Sequence, residues 1–199
     1  MKNTHKSRQQ GFTFIELVIV IILLGLLAAA ALPRLLDVTD DAEIASLEGV
    51  AGGFSTAVSI AHAQWFAEGG SRGAITTPDQ KPQINMDGKI IYLTENGWPA
   101  NTRQEDDSSE DNQTAQECLD VFQGVLQNFP SATIDAQDRA NARFFVSVLP
   151  QQGGDSEQGL SADLCRYELI LNNASSATPT HYFDYDLGTG EVIVTKPNL

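Results

Sequence analysis

An uninterrupted apolar run, residues 17–33, is the strongest hydrophobic feature of the chain. It carries no charge over seventeen positions, and with residues 12–15 ahead of it the apolar block approaches the ~20 residues that cross a bilayer. Glu16 lies just inside this block, where a carboxylate costs roughly 2.5–3.5 kcal/mol on insertion scales. The pattern therefore predicts a membrane-spanning helix and indicates that Glu16 is kept for function.

Hydrophobic positions continue at helical spacing beyond this run. They recur every three or four residues and predict one long, bent helix from Phe14 to Ala67, with a buried stripe at Ile44, Leu47, Phe54, Val58, Ala61 and Trp65. Gly52 and Gly53 weaken a helix, and a strand packed closely across them would explain their presence. Gly69 and Gly70 then end the helix.

After the helix, the pattern changes to short segments. Residues 84–93 predict two strands around an Asp-Gly turn, and residues 115–129 predict an amphipathic helix that stops before Pro130. Four further strands are predicted at 142–149, 165–171, 181–187 and 191–196. Together the elements predict an α+β fold, in which the long helix packs on an antiparallel sheet with one extra helix.

The charge distribution predicts the orientation of the chain in the membrane and argues against a nucleic acid partner. The chain has 12 basic and 26 acidic residues, a net charge of −14, and Lys2, Lys6 and Arg8 all precede Gly11. Without these three, the remaining 9 basic and 26 acidic residues give −17. Such a surface repels phosphate backbones, so no nucleic acid partner is predicted. The basic start predicts that the amino end stays in the cytoplasm and that the rest of the chain lies outside.

The two cysteines, Cys118 and Cys165, both follow the membrane segment. An even pair in an exported domain predicts a disulfide. Closing a loop of this length would stabilise the fold by ~4 kcal/mol on the chain-entropy model. Two buried free thiols are the alternative.

An ordinary secretory signal peptide is the alternative reading of the amino terminus. It too has a basic start, an apolar run and small residues before the cleavage point, here Ala29, Ala30 and Ala31. Under that reading the whole apolar block would be removed. Glu16 within the run and the length of the run argue against it.

The segment GFTFIELV, residues 11–18, resembles the class III signal of the type IV pilin family. The resemblance implies the type IV pilin fold, cleavage by a prepilin peptidase after Gly11, and N-methylation of the new terminal residue, Phe12. It also implies that Glu16 meets the terminal amine of a neighbouring subunit, which would offset the cost of burying a carboxylate. Phe14 stands where the family more often has leucine.

Gly25 and Pro33 fit the same family pattern. A proline inside a helix removes one backbone hydrogen bond, so a kink or a locally melted turn is predicted near residues 26–32. In assembled pili of this family the segment between such a glycine and proline is often extended, and the resemblance implies the same for Gly25 to Pro33. A simple kink is the alternative.

The resemblance implies four parts of the chain and a structural role. The parts are a leader peptide (1–11), a transmembrane and filament-core helix (12–36), an amphipathic continuation of that helix (37–68) and a globular head (69–199). The role is that of a subunit stored in the bacterial inner membrane as a single-pass protein and then assembled into an extracellular pilus used for surface attachment. The implied partners are other pilin subunits, the prepilin peptidase and the inner-membrane assembly platform, with no cofactor.

Three further segments are similar to the minor pilin of the mannose-sensitive haemagglutinin (MSHA) pilus group: residues 33–42, 48–54 and 63–65. Two alternatives share the architecture. One is a pseudopilin of type II secretion, a system whose major pseudopilins use calcium. The other is a tip adhesin that binds a surface glycan, for which an aromatic and amide cluster around Trp98 is the candidate site.

The sequence contains no recognisable catalytic motif, and no enzymatic activity is predicted. It contains no GxSxG, HExxH, Walker or CxxC motif. Five acidic residues between positions 105 and 111 could bind calcium, but the spacing of an EF-hand loop is absent, so no metal site is predicted. His62 has no partner at metal-ligand spacing. Asp184 and Asp186 fall on one face of a predicted strand, where they could act as an acid and base pair or bind a cation, although a solvent-facing edge is the preferred interpretation.

Overall fold

The computed structural model describes residues 12–70, 82–103, 112–150, 162–171 and 181–196. The chain divides into two compact units, residues 1–42 and residues 43–199. The predicted α+β fold is confirmed, with an apolar amino-terminal helix, a second helix and antiparallel sheet.

Helix α1 spans Phe14–Ala67, as the hydrophobic spacing predicts. In the second unit its apolar stripe lies in the core, where Leu47, Phe54 and Val58 are fully buried. The predicted strand across Gly52 and Gly53 is wrong. A methyl group on Gly52 would meet nothing within 4 Å, and one on Gly53 would meet only a side-chain carbon of Leu126.

Helix α2 spans Ala115–Val125 and carries a closely packed glycine. A methyl group on Gly124 would come within 2.8 Å of the Thr102 side chain and 2.9 Å of the Ile91 side chain, so these two side chains would have to shift to admit it. The helix ends at Val125, four residues before the predicted end, because Leu126 is already extended, with φ −92° and ψ 129°.

A three-stranded antiparallel sheet contains β1 (Gln83–Met86), β2 (Lys89–Leu93) and β3 (Pro99–Asn101). The predicted hairpin is confirmed, with Asp87 and Gly88 at φ 50° and 84° in the turn. The Asn85 side chain accepts a hydrogen bond from the Gly88 N–H at 2.8 Å. Strand β3 is a further element that the sequence pattern does not predict.

A five-stranded sheet contains β4 (Ala132–Thr133), β5 (Phe144–Leu149), β6 (Leu164–Leu169), β7 (Tyr182–Asp186) and β8 (Val192–Thr195), in that order. The four predicted strands are confirmed to within two residues at each end. Strand β4 is not predicted, and it pairs with β5 in parallel, whereas β5 to β8 are antiparallel. A short 3₁₀ helix, Ala136–Asn141, joins β4 to β5.

An aromatic cluster forms the centre of the second unit. The Phe54 ring lies 5.2 to 6.0 Å, centroid to centroid, from the rings of Phe122, Tyr167, Phe183 and Tyr185. Phe54 lies on α1 and the other four rings come from α2, β6 and β7, so this one side chain contacts both the second helix and the five-stranded sheet. Such ring pairs contribute about 0.5–1.5 kcal/mol each beyond their buried area.

Two ion pairs add contacts between α1 and the five-stranded sheet. Arg143, just before β5, pairs with Glu43, and Lys196, just after β8, pairs with Glu48. Both glutamates lie on the part of α1 that belongs to the second unit. Partly exposed pairs of this kind contribute little, so burial of the apolar stripe holds α1 in place.

Candidate assembly site at the amino terminus

Thr13 and Glu16 form a capping box at the start of α1. The Thr13 N–H and hydroxyl donate to Glu16 Oε2 at 3.0 and 2.6 Å, and the Glu16 N–H donates to Thr13 Oγ1 at 3.3 Å. This reciprocal arrangement satisfies donors that the first turn of a helix leaves without partners. In the single chain, the Glu16 carboxylate is therefore bonded within its own helix.

Thr13 is the residue of this site that the sequence interpretation missed. The signal was present, because Thr-x-x-Glu ahead of an apolar run is the sequence pattern of a capping box. The pairing of Glu16 with the amine of a neighbouring subunit concerns an assembly, and it stays a prediction.

Among the residues that the structure describes, the large apolar side chains of residues 12–32 are exposed almost throughout. Phe12 is 77% exposed, and residues 14–32 form a helical stretch that is long and apolar enough to cross a membrane, with none of it buried. A second stretch, Ala42–Ala67, also passes this test by length and composition, but a third of it is buried. Exposed apolar surface of this extent requires a lipid or protein environment.

Three predicted site residues near this helix remain predictions. Gly11 lies outside the described residues, as does the rest of the leader. A methyl group on Gly25 would meet nothing within 4 Å among the residues that the structure describes. Residues 26–33 are helical in the single chain. The extension expected between Gly25 and Pro33 refers to the assembled filament.

The predicted disulfide between Cys118 and Cys165 is present. It joins α2 to β6, with 5.5 Å between the two Cα atoms, and both residues are fully buried. The Tyr167 hydroxyl donates to the Cys118 carbonyl oxygen at 2.8 Å. The bond therefore fixes α2 on the middle strand of the five-stranded sheet.

The buried tyrosine beside this disulfide gives a testable pH dependence. Burial raises the pKa of Tyr167 well above the usual 10.0, because the core favours the neutral phenol. The contribution of this residue to folding stability is therefore fully present below about pH 10 and is lost as the pH rises above it. We expect Tyr167→Phe to cost about 0.5–1.5 kcal/mol at pH 7, the net value of one hydrogen bond. We also expect it to reduce the loss of stability between pH 9 and pH 11.

Urea titrations of the full chain in detergent at these pH values measure both effects. Tyr182→Phe, which removes a partly exposed phenol, is the matched control. An equal alkaline loss in wild type and Tyr167→Phe would assign that loss to other groups.

Asp184 and Asp186 do not lie on a solvent-facing edge, because β7 is an interior strand. Arg166 binds Asp184 through two hydrogen bonds of 2.8 Å, and its guanidinium lies over the Tyr182 ring. The bond to Asp184 raises the pKa of Arg166. Asp186 accepts hydrogen bonds from the N–H groups of Gly188 and Thr189 and so holds the β7–β8 turn. The two carboxylates therefore have structural roles and do not form an acid and base pair.

The Trp98 indole packs against two other groups. The His62 ring stacks on it at 3.6 Å, centroid to centroid, and a methyl group on Gly190 would come within 2.3 Å of its ring carbons. A sugar that stacked on Trp98 would compete with these contacts.

No group of three or more His, Cys, Asp or Glu residues is placed to hold a metal ion among the residues that the structure describes. The acidic residues between 105 and 111, on which the calcium interpretation depended, lie outside those residues.

Known protein families and relatives were compared with the whole chain, and the family match falls in its amino-terminal segment. Residues 6–32 match the prokaryotic N-terminal methylation motif. The chain is 46% identical to the type IV narrow pilus major component of Thermus thermophilus over 57 residues, 29% of this chain and 49% of that protein. It is 40% identical to a type IV major pilin protein of Neisseria gonorrhoeae over 101 residues, 47% of this chain and 56% of the relative.

A third relative belongs to a different system. The chain is 28% identical to the type II secretion system core protein G of Pseudomonas aeruginosa over 100 residues, 47% of this chain and 70% of that protein. The chain spans about half the length of the pilus relatives it matches. The comparison with solved structures gave no significant match.

The chain thus combines an apolar amino-terminal helix and the methylation motif with an α+β fold that contains a disulfide, a combination consistent with the type IV pilin fold. Over part of its length it is similar both to type IV pilus components and to a type II secretion core protein.

Proposed function

We propose that this protein is a structural subunit of a type IV pilus, stored in the bacterial inner membrane and assembled into an extracellular filament used for surface attachment. The observation that carries the proposal is the exposed apolar helix of residues 14–32 with Glu16 at its start. A helix of this kind requires burial in lipid or among other helices. A subunit that moves from membrane to filament has each environment in turn.

In this proposal the amino end is cytoplasmic and the second unit lies outside. The basic residues ahead of Gly11 and the acidic residues after the apolar run support that orientation. A prepilin peptidase removes residues 1–11, the new terminal residue Phe12 is methylated, and the inner-membrane assembly platform passes the subunit to the filament. The match to the methylation motif supports the peptidase step.

In this proposal the negative charge of Glu16 sets the register in which neighbouring subunits pack in the filament. Its carboxylate exchanges the bonds to its own Thr13 for a pair with the terminal amine of a neighbouring subunit. An ammonium group buried without a partner costs several kcal/mol, so misregistered packing is penalised. Gly25 and Pro33 supply the local loss of helix that the family pattern implies for the assembled state.

Within the pili, we propose a minor pilin of the MSHA type. The support is the resemblance of residues 33–42, 48–54 and 63–65 to that group. The second candidate is a type II secretion pseudopilin. It is favoured by the match to core protein G, which covers 70% of that protein, more than the pilus relatives quoted above.

The test is the amino terminus of the chain from sheared filaments. We expect mass spectrometry to find Phe12 as the first residue with one added methyl, and immunogold labelling to place the protein on surface filaments. A Gly11 substitution that blocks cleavage is the matched control, and we expect that variant to retain residues 1–11 in the membrane fraction.

Two outcomes would contradict the proposal. A first residue near Leu32 would indicate an ordinary signal peptide and remove the filament role. Correct processing at Phe12 with label confined to the periplasm would favour the pseudopilin. Sparse label or a single terminal spot would support a minor subunit, whereas dense label along the shaft would identify a major one.

A further inference from the structure

Strand β8 forms an open edge of the five-stranded sheet. In the part of the chain that the structure describes, β8 pairs with β7 on one side and with no strand on the other. Ile193, in the middle of β8, is 52% exposed. An open edge presents a row of backbone N–H and C=O groups to which a further strand can bond. This edge is therefore a candidate interaction surface.

The hydrogen bonds between β7 and β8 show which residues of β8 face the open side. The Asp186 N–H donates to the Glu191 carbonyl oxygen at 3.0 Å. Because hydrogen-bonded and non-hydrogen-bonded pairs alternate along antiparallel strands, Ile193 and Thr195 also direct their backbone groups toward β7. Val192 and Val194 therefore direct theirs toward the open side.

The same edge of a second copy fits this pattern. Two copies of β8 can pair antiparallel about a two-fold axis at Ile193, which places Val192 opposite Val194 of the second copy. The outward N–H groups of these valines then all gain carbonyl acceptors. Ile193 lies directly opposite Ile193 of the second copy, so each exposed side chain covers the other. A register moved by two residues would place Ile193 against Glu191 or Thr195 instead.

The charges near β8 also favour a second copy at this edge. The second unit has 8 basic and 22 acidic residues, a net charge of −14, so two such units repel each other in general. At β8 the signs are balanced, because Glu191 precedes the strand and Lys196 follows it. Asp184, opposite Ile193 on β7, is paired with Arg166. The two-fold axis would therefore bring no unpaired like charges together.

We propose that two copies of this protein pair through β8 and join their sheets into one of ten strands, with Ile193 at the two-fold axis. The proposal rests on the second unit alone and goes beyond the filament role. A two-fold contact closes after two copies, so it is separate from contacts that would repeat along a filament. The pairing and the filament role can therefore fail independently.

Cysteine cross-linking tests the pairing on the full chain in non-denaturing detergent. The two native cysteines are joined in a disulfide, so an introduced thiol is the one that reacts. Ile193→Cys places two thiols on Cα atoms about 4.5 Å apart, which a disulfide can span. We expect covalent dimers to form at least about tenfold faster than with Ile60→Cys, the matched control, whose position on α1 is 54% exposed. Equal rates would overturn the pairing.

Mixtures of variants test the register. In the proposed pair Glu191 lies opposite Thr195 of the second copy. A mixture of Glu191→Cys and Thr195→Cys is therefore expected to cross-link at least about tenfold faster than either variant alone. Faster cross-linking in a mixture of Ile193→Cys and Thr195→Cys than in Ile193→Cys alone would overturn the register at Ile193.

A charge at the axis tests the role of the apolar contact. Ile193→Lys would place two like charges opposite each other. In the mixture of Glu191→Cys and Thr195→Cys, we expect this change to lower the yield of dimers at least about tenfold, whereas Ile60→Lys leaves it unchanged. An equal yield with Ile193→Lys would contradict the contact.

Cross-linking in cells tests whether the occupant of the edge is a second copy. Oxidation of cells that express Ile193→Cys is expected to give a band at twice the mass of the chain, and mass spectrometry of that band is expected to find this chain alone. A band of another mass would identify a different partner. Either that band or the absence of any band would overturn a second copy as the occupant.

Discussion

Glu16→Ala is expected to reduce incorporation of the chain into filaments by at least about tenfold while its amount in the membrane stays unchanged. In the proposed filament the terminal amine of the neighbouring subunit would lose its counter-charge, at a cost of several kcal/mol. A cost of about 1.4 kcal/mol already gives a factor of ten in an equilibrium. The measurement is quantitative immunoblotting of sheared filaments and membranes from the same cells.

Two variants separate the charge of Glu16 from its capping role. Glu16→Gln keeps an acceptor for the Thr13 N–H but removes the charge, whereas Thr13→Val removes the hydroxyl of the capping box but keeps the charge. Charge pairing predicts that Glu16→Gln fails like Glu16→Ala and that Thr13→Val assembles. Loss of the cap alone costs about 0.5–2 kcal/mol.

Glu68→Gln is the control for loss of a carboxylate elsewhere, because Glu68 is exposed just past the other end of α1. Normal filaments from Glu16→Ala would remove the charge-pairing role. If Thr13→Val failed to enter filaments and Glu16→Gln assembled normally, the site would act through helix capping and not through charge.

Phe54→Ala is expected to destabilise the second unit by about 3–5 kcal/mol, the usual cost of truncating a buried phenylalanine. Phe54 is fully buried and contacts four aromatic rings from α2, β6 and β7. This loss approaches the whole stability of many domains, so the subunit is also expected to be degraded in cells.

Urea unfolding of the full chain in detergent, followed by tryptophan fluorescence, measures the loss, because Trp65 and Trp98 both lie in the second unit. We expect the midpoint to fall by at least about 1 M, given ordinary slopes of 1–3 kcal/mol per molar urea. Phe66→Ala, on the same helix but 47% exposed, is the matched control. Equal shifts for the two variants would show that the Phe54 cluster is not the centre of the core.

The sequence predicts the elements that periodicity controls. Helix α1 and the β1–β2 hairpin have their predicted bounds because a long apolar stripe and an Asp-Gly turn are strong local signals. Strands β3 and β4 are missed because three and two residues are too short to show alternation, and β4 is held by parallel pairing with β5.

At the candidate site the sequence identifies Glu16, through its cost in an apolar run, but not Thr13, whose role depends on where the helix begins. It also predicts close packing at Gly52 and Gly53, whereas Gly124 and Gly190 are among the glycines that neighbouring side chains approach closely. Which glycine a neighbour approaches is decided by tertiary packing, and no local pattern carries that information.

The capping box at Thr13 and Glu16 also bears on how deep in a bilayer the helix can start. A helix beginning among hydrocarbon chains has no water to bind its first N–H groups, and each one left without a partner costs several kcal/mol. Here the side chains of the first turn supply acceptors for the N–H groups of Thr13 and Glu16. In the proposed membrane-stored state these two N–H groups would need no water, which lowers the cost of placing the amino end of α1 below the lipid headgroups.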